Sequence, residues 1–361
     1  TEPFSIEVEE GVLSDLRERI RNTRWPAPSV EAPWVQGTDF DYLRDLLGYW
    51  ADGFDWREQE RRLNAVDHFR ARVGGVWIHY VHVRRGGTPL ILTHGWPSTF
   101  VEHLQLVPHL DGFDLVIPSL PGYGFSERPA RCTTRDTARQ WHELMQGLGY
   151  DRYGAQGGDF GASVTTHMAL EDPEPLIGIH LHQIDDRPPA GGPPPTPAEQ
   201  QYAAAVEAWD AVERGYSSIQ STKPQTVAYG LNDSPAGLAA WLVEKWRSWS
   251  DDLEAVDRDV LLTNLTLFWV TQTIGTSMRD YYDERWHRRN IEPGERVRVP
   301  TAVALFANEL VSEGTPPREW AERLYNIRRW TPMPRGGHFA PAEQPELLAR
   351  DIAAFFDSVR A

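Results

Sequence analysis

Three side chains in this sequence could together make and break a covalent bond. Asp159 stands at the centre of Gly157-Gly158-Asp159-Phe160-Gly161, Glu309 in Phe306-Ala307-Asn308-Glu309-Leu310, and His338 in Arg335-Gly336-Gly337-His338-Phe339. A carboxylate serves as a nucleophile if a base can later drive water onto its ester, an acid orients that base, and N–H donors receive the oxyanion. The run Arg152-Tyr153-Gly154-Ala155 before Asp159 is strand-like, and Ser163 to Glu171 after it is helix-like, closed by Asp172-Pro173. Strand, sharp turn and helix, with glycines two before and two after the central residue, form the setting of a nucleophile elbow. Serine is the commoner central residue; aspartate there turns acyl transfer into alkyl transfer. An acid at this point would also suit a helix N-cap, so the pentapeptide alone leaves both readings open.

Three loops must be brought to one edge of a scaffold. Phe69 to Val73 and Val76 to Val83, separated by Gly74-Gly75, read as a β-hairpin. Short apolar runs then alternate with helices: strands at Leu90–Thr93, Phe113–Pro118, Arg152–Ala155 and Ile177–Ile184, helices at Phe100–Leu110 and Arg135–Leu148. This alternation predicts an α/β fold, a mostly parallel central sheet with helices on both faces. A Pro/Gly stretch from Arg187 to Pro195 interrupts it. Helices are expected over Ala198–Gly215, Ala236–Trp249 and Val260–Trp286, before strand character returns at Arg298–Phe306 and Arg328–Thr331 and a closing helix runs from Pro345 to Val359. The expected organisation is an N-terminal helical meander over residues 1–68 packing on the core, core sequence at 69–186 and 298–361, and a helical cap at 187–297 between two strands.

The order nucleophile, acid, histidine is that of the α/β-hydrolase fold. Asp185 and Asp186, after the preceding strand, compete with Glu309 for the place of the acid. The loop His94-Gly95-Trp96-Pro97 follows the strand ending at Thr93, where this fold supplies an oxyanion N–H. By position the donors are the backbone N–H groups of Trp96 and Phe160, and His94 reads as a structural residue. His180 with His182, and His79 with His82, lack a third ligand at a recognisable spacing, so neither a metal nor another cofactor is expected.

Over nearly its whole length the chain resembles an epoxide hydrolase of the α/β-hydrolase superfamily, on the microsomal-type branch. The similarity is carried by Thr23-Arg24-Trp25-Pro26, His94-Gly95-Trp96-Pro97, Pro121-Gly122-Tyr123-Gly124-Phe125-Ser126, the elbow, Gly215 to Pro224, Leu231 to Leu238, and Arg335 to Ala340. The resemblance implies two cap tyrosines that donate hydrogen bonds to the epoxide oxygen. Tyr216 matches one and Tyr281 the other, and a slip of one residue would exchange Tyr281 for Tyr282. It further implies attack by Asp159 on an epoxide carbon, then hydrolysis of the ester by water that His338, oriented by Glu309, deprotonates, giving a vicinal diol.

A haloalkane dehalogenase would use the same acid and histidine, but it needs N–H donors for halide where this chain has Phe160; a binding-only member of the fold is the other alternative. A serine esterase is excluded, because Ser163 lies beyond the turn. The net charge of -16 argues against nucleic acid and anionic membrane surfaces as partners. One cysteine, Cys132, excludes an intrachain disulfide. With no apolar run of membrane-spanning length, the expectation is a cytoplasmic protein, a homodimer being the default assembly. Of 36 basic residues only Lys223 and Lys245 are lysine, a bias that suggests a GC-rich genome, and there are 15 tryptophans. Both features fit a bulky aryl epoxide in secondary metabolism such as antibiotic biosynthesis; detoxification of small epoxides is the alternative.

Overall fold

The computed structural model describes residues 1–184, 186–189, 192–309 and 315–360. Its sheet contains β1 (Glu2–Phe4), β2 (His68–Val73), β3 (Val76–Val83), β4 (Thr88–Thr93), β5 (Phe113–Pro118), β6 (Tyr153–Gly157), β7 (Leu176–Leu181), β8 (Pro300–Leu305) and β9 (Asn326–Pro332). The spatial order is β1-β2-β3-β5-β4-β6-β7-β8-β9. β1, β2, β3 and β5 pair antiparallel; from β5 to β9 every pair is parallel. Every residue of β5 is buried, as are Leu90, Ile91 and Leu92 of β4, because helices cover both faces of a parallel sheet. The β2–β3 hairpin turns on Gly74 and Gly75, with φ of 57° and 86°, the left-handed pair that a two-residue hairpin loop demands.

Strand β6 shows how the two faces are built. Gly154 faces the helix Pro345–Val359, where a Cβ would run into the ring of Phe356; Gly157, three residues on, faces the helix Phe160–Glu171. Residues an odd number apart on a strand point to opposite sides, so these two helices sandwich the sheet. Phe355 meets Gly178 of β7 in the same way. Strand glycines thus bring the helices close to the sheet just beneath the elbow.

Between β7 and β8 lie helices Pro197–Glu213, Gly215–Gln220, Pro224–Asp233, Pro235–Trp249, Arg258–Thr271 and Ile274–His287. Two of the expected helices divide differently. The stretch read as one helix from Val260 to Trp286 breaks at Gln272, whose φ is 55°. The Thr271 and Thr273 hydroxyls, 2.8 Å apart, close this corner, and Thr271 Oγ1 also donates to the Leu267 carbonyl. Such local side-chain bonds compete with helix continuation. The other division, after Glu213, puts Tyr216 on a short helix of its own.

Residues 1–68 contribute a strand as well as helices. β1 pairs with β2 at the sheet edge, a three-residue element too short to leave a period in the sequence. The helices Glu10–Arg21 and Phe40–Asp52 bond to the helical insert. Arg19 reaches Asp233 at 2.8 Å, the Tyr49 hydroxyl donates to Asp259 at 2.8 Å, and Trp50 Nε1 donates to Thr266 at 2.9 Å. Among the described residues no helix is long and apolar enough to cross a membrane.

Candidate active site

β6 ends at Gly157 and the next helix starts at Phe160, so Gly158 and Asp159 make the whole turn. Asp159 has φ 52° and ψ -132°, a conformation that non-glycine residues rarely adopt, so the surrounding structure must enforce it. The packing leaves no room for side chains beside it. A Cβ on Gly157 would collide with the Gly161 carbonyl, one on Gly161 with the Thr93 carbonyl, and one on Gly158 with the His182 ring. The Asp159 N–H donates to Gln183 Oε1 at 2.9 Å. Its carboxylate does not cap the helix that follows; Oδ1 instead accepts the Trp96 N–H at 2.7 Å. Phe160 is the first residue of that helix, so its N–H has no partner within the helix.

The loop that presents Trp96 is fixed by His94, whose ring lies 3.0 Å from the Gly95 carbonyl and accepts the Leu120 N–H at 3.1 Å. Burial pushes the His94 pKa down to about 4, so the ring is neutral at physiological pH. From the insert, Asn264 donates to the Pro97 carbonyl at 2.8 Å.

His338 follows β9 in a loop pinned by its own N–H, which donates to the Trp249 carbonyl at 2.8 Å. Its Nδ1 lies 2.8 Å from Glu309 Oε1, and its Nε2 lies 3.7 Å from Asp159 Oδ2. Burial disfavours the imidazolium, but the Glu309 carboxylate, with Asp159 and Glu102 behind it, outweighs burial and raises the pKa to about 9. Of the rival acids, Asp186 is buried and pairs with Arg288 at 2.9 Å, away from His338, while Asp185 lies outside the described residues.

The insert brings Tyr216 and Tyr281 over Asp159. Their rings are 5.8 Å apart and nearly perpendicular. Tyr216 stacks on Trp96 at 5.5 Å, and Lys245 Nζ lies 4.6 Å from its ring centre. Tyr281 packs edge-on against Phe160 at 4.9 Å. Burial, then the neighbouring Tyr216 and Asp159, push the Tyr281 pKa well above that of free tyrosine, so the phenol keeps its proton. Tyr282 is exposed and faces Trp286. Asp159, Phe160, Tyr216 and Tyr281 line a cavity of about 390 Å³ together with Trp209, Arg214, Arg285 and Arg288, and the exposure of Arg214 and Arg285 marks its solvent end.

Several residues of this site have no signal in the sequence motifs. Gln183 could have been sought, since it lies just past β7 at the same carboxyl edge as the elbow, where open parallel sheets gather their functional residues. Glu102 and Glu343 are buried beside the histidine loop, and burial lifts both pKa values to about 7. Glu343 accepts N–H bonds from Asp251, Gly337 and Phe339, which fixes the backbone on either side of His338. Each histidine of the two sequence pairs has a partner of its own: His180 lies 3.0 Å from Asp351 and His182, beside the elbow, 2.8 Å from Gln156, while His79 lies 2.8 Å from His68 and His82 2.9 Å from the Tyr150 hydroxyl.

Comparison with known proteins gives a consistent result. Residues 1–103 match the family described as epoxide hydrolase N terminus, and residues 88–358 match the alpha/beta hydrolase fold family. A protein of Stigmatella aurantiaca named "Putative epoxide hydrolase" is 38% identical over 99% of this chain and 85% of its own length. Epoxide hydrolase 1 of Oryctolagus cuniculus is 35% identical over 98% of this chain and 88% of its own. Among solved structures, the juvenile hormone epoxide hydrolase of Bombyx mori superposes with a TM-score of 0.91 at 32% identity, covering 99% of this chain and 94% of its own. The Aspergillus niger epoxide hydrolase gives 0.87 at 28% identity, covering 99% and 96%.

Proposed function

This chain belongs to the epoxide hydrolases of the α/β-hydrolase fold, and from that premise we propose that it makes a vicinal diol through an alkyl ester on Asp159. The observation that carries this reading is the single line of contacts from Glu309 through His338 to Asp159, with Oδ1 of Asp159 on the Trp96 N–H. Because Oδ1 is engaged, Oδ2 attacks the epoxide carbon. As the carbon–oxygen bond breaks, the oxygen takes a proton from Tyr281 or Tyr216, whose phenols are good donors because they hold their protons near neutral pH.

The resting charges then organise the second half. His338, protonated below its pKa of about 9, cannot act as a base while Asp159 is an anion. Esterification removes that negative charge, His338 gives its own proton to replace the one the phenolate lost to the alkoxide, and the neutral imidazole takes one from water. Hydroxide adds to the ester carbonyl, and the oxyanion forms on Oδ1 against the Trp96 and Phe160 N–H groups. Collapse releases the diol, whose oxygen takes the proton of the new carboxyl group. Asp159 is again an anion and His338 again a cation.

The aromatic side chains of Phe160, Tyr216, Tyr281 and Trp209 on the cavity wall support an aryl epoxide as substrate. Single-turnover hydrolysis by enzyme labelled with oxygen-18 at Asp159, run in unlabelled water, tests the ester step. Label in the diol is the expected result; diol oxygen drawn from solvent alone would replace the ester mechanism with direct attack by water.

A further inference from the structure

Three arginines line the mouth of the cavity in a chain whose net charge is -16. Two of them are paired with acids. Arg214 bonds Asp210 at 2.6 Å, and Arg288 bonds Asp186 at 2.9 Å with Glu284 at 3.9 Å. Arg285 differs: among the described residues no carboxylate lies within ion-pair distance of it. Its guanidinium is nonetheless held in place. It packs over the Trp286 ring at 5.1 Å, and its Nη1 donates to the Ser221 hydroxyl at 3.3 Å. Trp286 is itself tied down, its Nε1 donating to the Ser221 carbonyl at 2.9 Å. This leaves an oriented cation on the wall of a substrate cavity with donors to spare.

Its place relative to the chemistry follows from helical spacing. Arg285 and Tyr281 are four residues apart on the helix Ile274–His287, so they share a face, one turn or roughly 6 Å along the axis. Tyr281 sits over Asp159 at the closed end, and Arg285 stands toward the opening. A substrate whose epoxide oxygen meets Tyr281 would therefore bring a group several bonds away against Arg285. Resting on the epoxide hydrolase reading, we propose that Arg285 is a specificity residue that binds a carboxylate carried by the epoxide substrate at the far end of its skeleton. Carboxylate suits the planar fork of guanidinium, which can bind both oxygens at once.

The test compares 4-oxiranylbenzoate with its methyl ester, which share one skeleton and differ in the distal charge. In the unaltered enzyme kcat/KM should favour the acid by about tenfold, the scale of one charge-assisted hydrogen-bonding contact. The preference should reside in KM and shrink with added salt, because the site is open to solvent. Arg285→Gln should bring the ratio of acid to ester close to unity, whereas Arg285→Lys, which retains the charge, should preserve part of it. Hydrolysis of both compounds without preference, or a preference that survives Arg285→Gln, overturns the carboxylate site and leaves the epoxide reading intact. Failure to hydrolyse either compound counts against both.

Discussion

Replacing Asp159 by Asn should lower the pKa of His338 without touching His338. The carboxylate oxygen lies 3.7 Å from His338 Nε2, with both side chains largely buried. Coulomb attraction at that distance is about 1 kcal/mol if water screens it fully and about 4.5 kcal/mol at an effective dielectric constant near 20. Divided by the free energy of one pKa unit, the loss corresponds to a drop of roughly 1–3 units. The imidazolium, at about 9 in the resting protein, should thus titrate nearer neutrality in the variant. The same fall should accompany esterification of Asp159, since an ester is as uncharged as an amide. Nitrogen-15 NMR of labelled histidine through a pH titration reads the pKa directly in both proteins. Glu309→Gln should produce a larger shift, because Glu309 lies closer, at 2.8 Å from Nδ1. If the His338 pKa in Asp159→Asn stayed within about half a unit of the original, the proposed charge-triggered switch from acid to base would be wrong.

His338→Gln should form the ester and then stall; intact mass spectrometry should find one substrate equivalent added at Asp159, and an unmodified protein would contradict the ester. Tyr281→Phe and Tyr216→Phe should each slow ester formation by about 10²-fold, the usual loss for one donor to a developing oxyanion, as measured by stopped-flow fluorescence, while the same change at exposed Tyr229 should leave the rate alone. Gly161→Ala should destabilise the fold by about 3 kcal/mol or more, because the methyl group would collide with the Thr93 carbonyl; urea unfolding measures this. For Glu102, burial lifts the folded pKa from 4.5 to about 7. Between those values the folded protein keeps a proton that the unfolded chain has released, so stability falls as pH rises. Glu102→Gln should flatten that decline by roughly 2–4 kcal/mol, seen by comparing urea midpoints at either end of the window.

The parts legible in the sequence are those whose physics is local. Gly157 announces the elbow because the crowding it relieves, against the Gly161 carbonyl, arises within a few residues of Asp159; Gly161 relieves a distant contact, with the Thr93 carbonyl, but stands at a fixed spacing from the nucleophile candidate. The spacing of strand and helix announces the parallel sheet for the same reason. The loop after β8 and the glycine loop around His338 could be placed by chain order alone, since each follows a strand whose carboxyl end faces the elbow. Gln183, just past β7, was open to the same argument, but Glu102 and Glu343 could not be found that way. Their roles depend on burial and on contacts between segments far apart in the chain, such as Glu343 with Asp251. The break at Gln272 escaped because the helix before it is buried on every side from Leu261 to Trp269, so its hydrophobic periodicity carries no phase whose loss would mark an end. Tyr281 and Tyr282 illustrate the limit most simply: adjacent residues of one type are separated only by which way the helix face turns.

The bonds from Arg19, Tyr49 and Trp50 to the helical insert have a consequence for how rate is achieved. The insert is anchored by its own ends in the sheet and again from outside by the first two helices of the chain. Asn264 of the insert also holds the loop that presents the Trp96 N–H from the other side. Donors that stand fixed before substrate arrives need not be turned toward the developing alkoxide as it forms, so little of the barrier goes into reorganising the protein. The N-terminal helices contribute no reacting atom; on this view they lower the reorganisation energy of the step in which the epoxide ring opens.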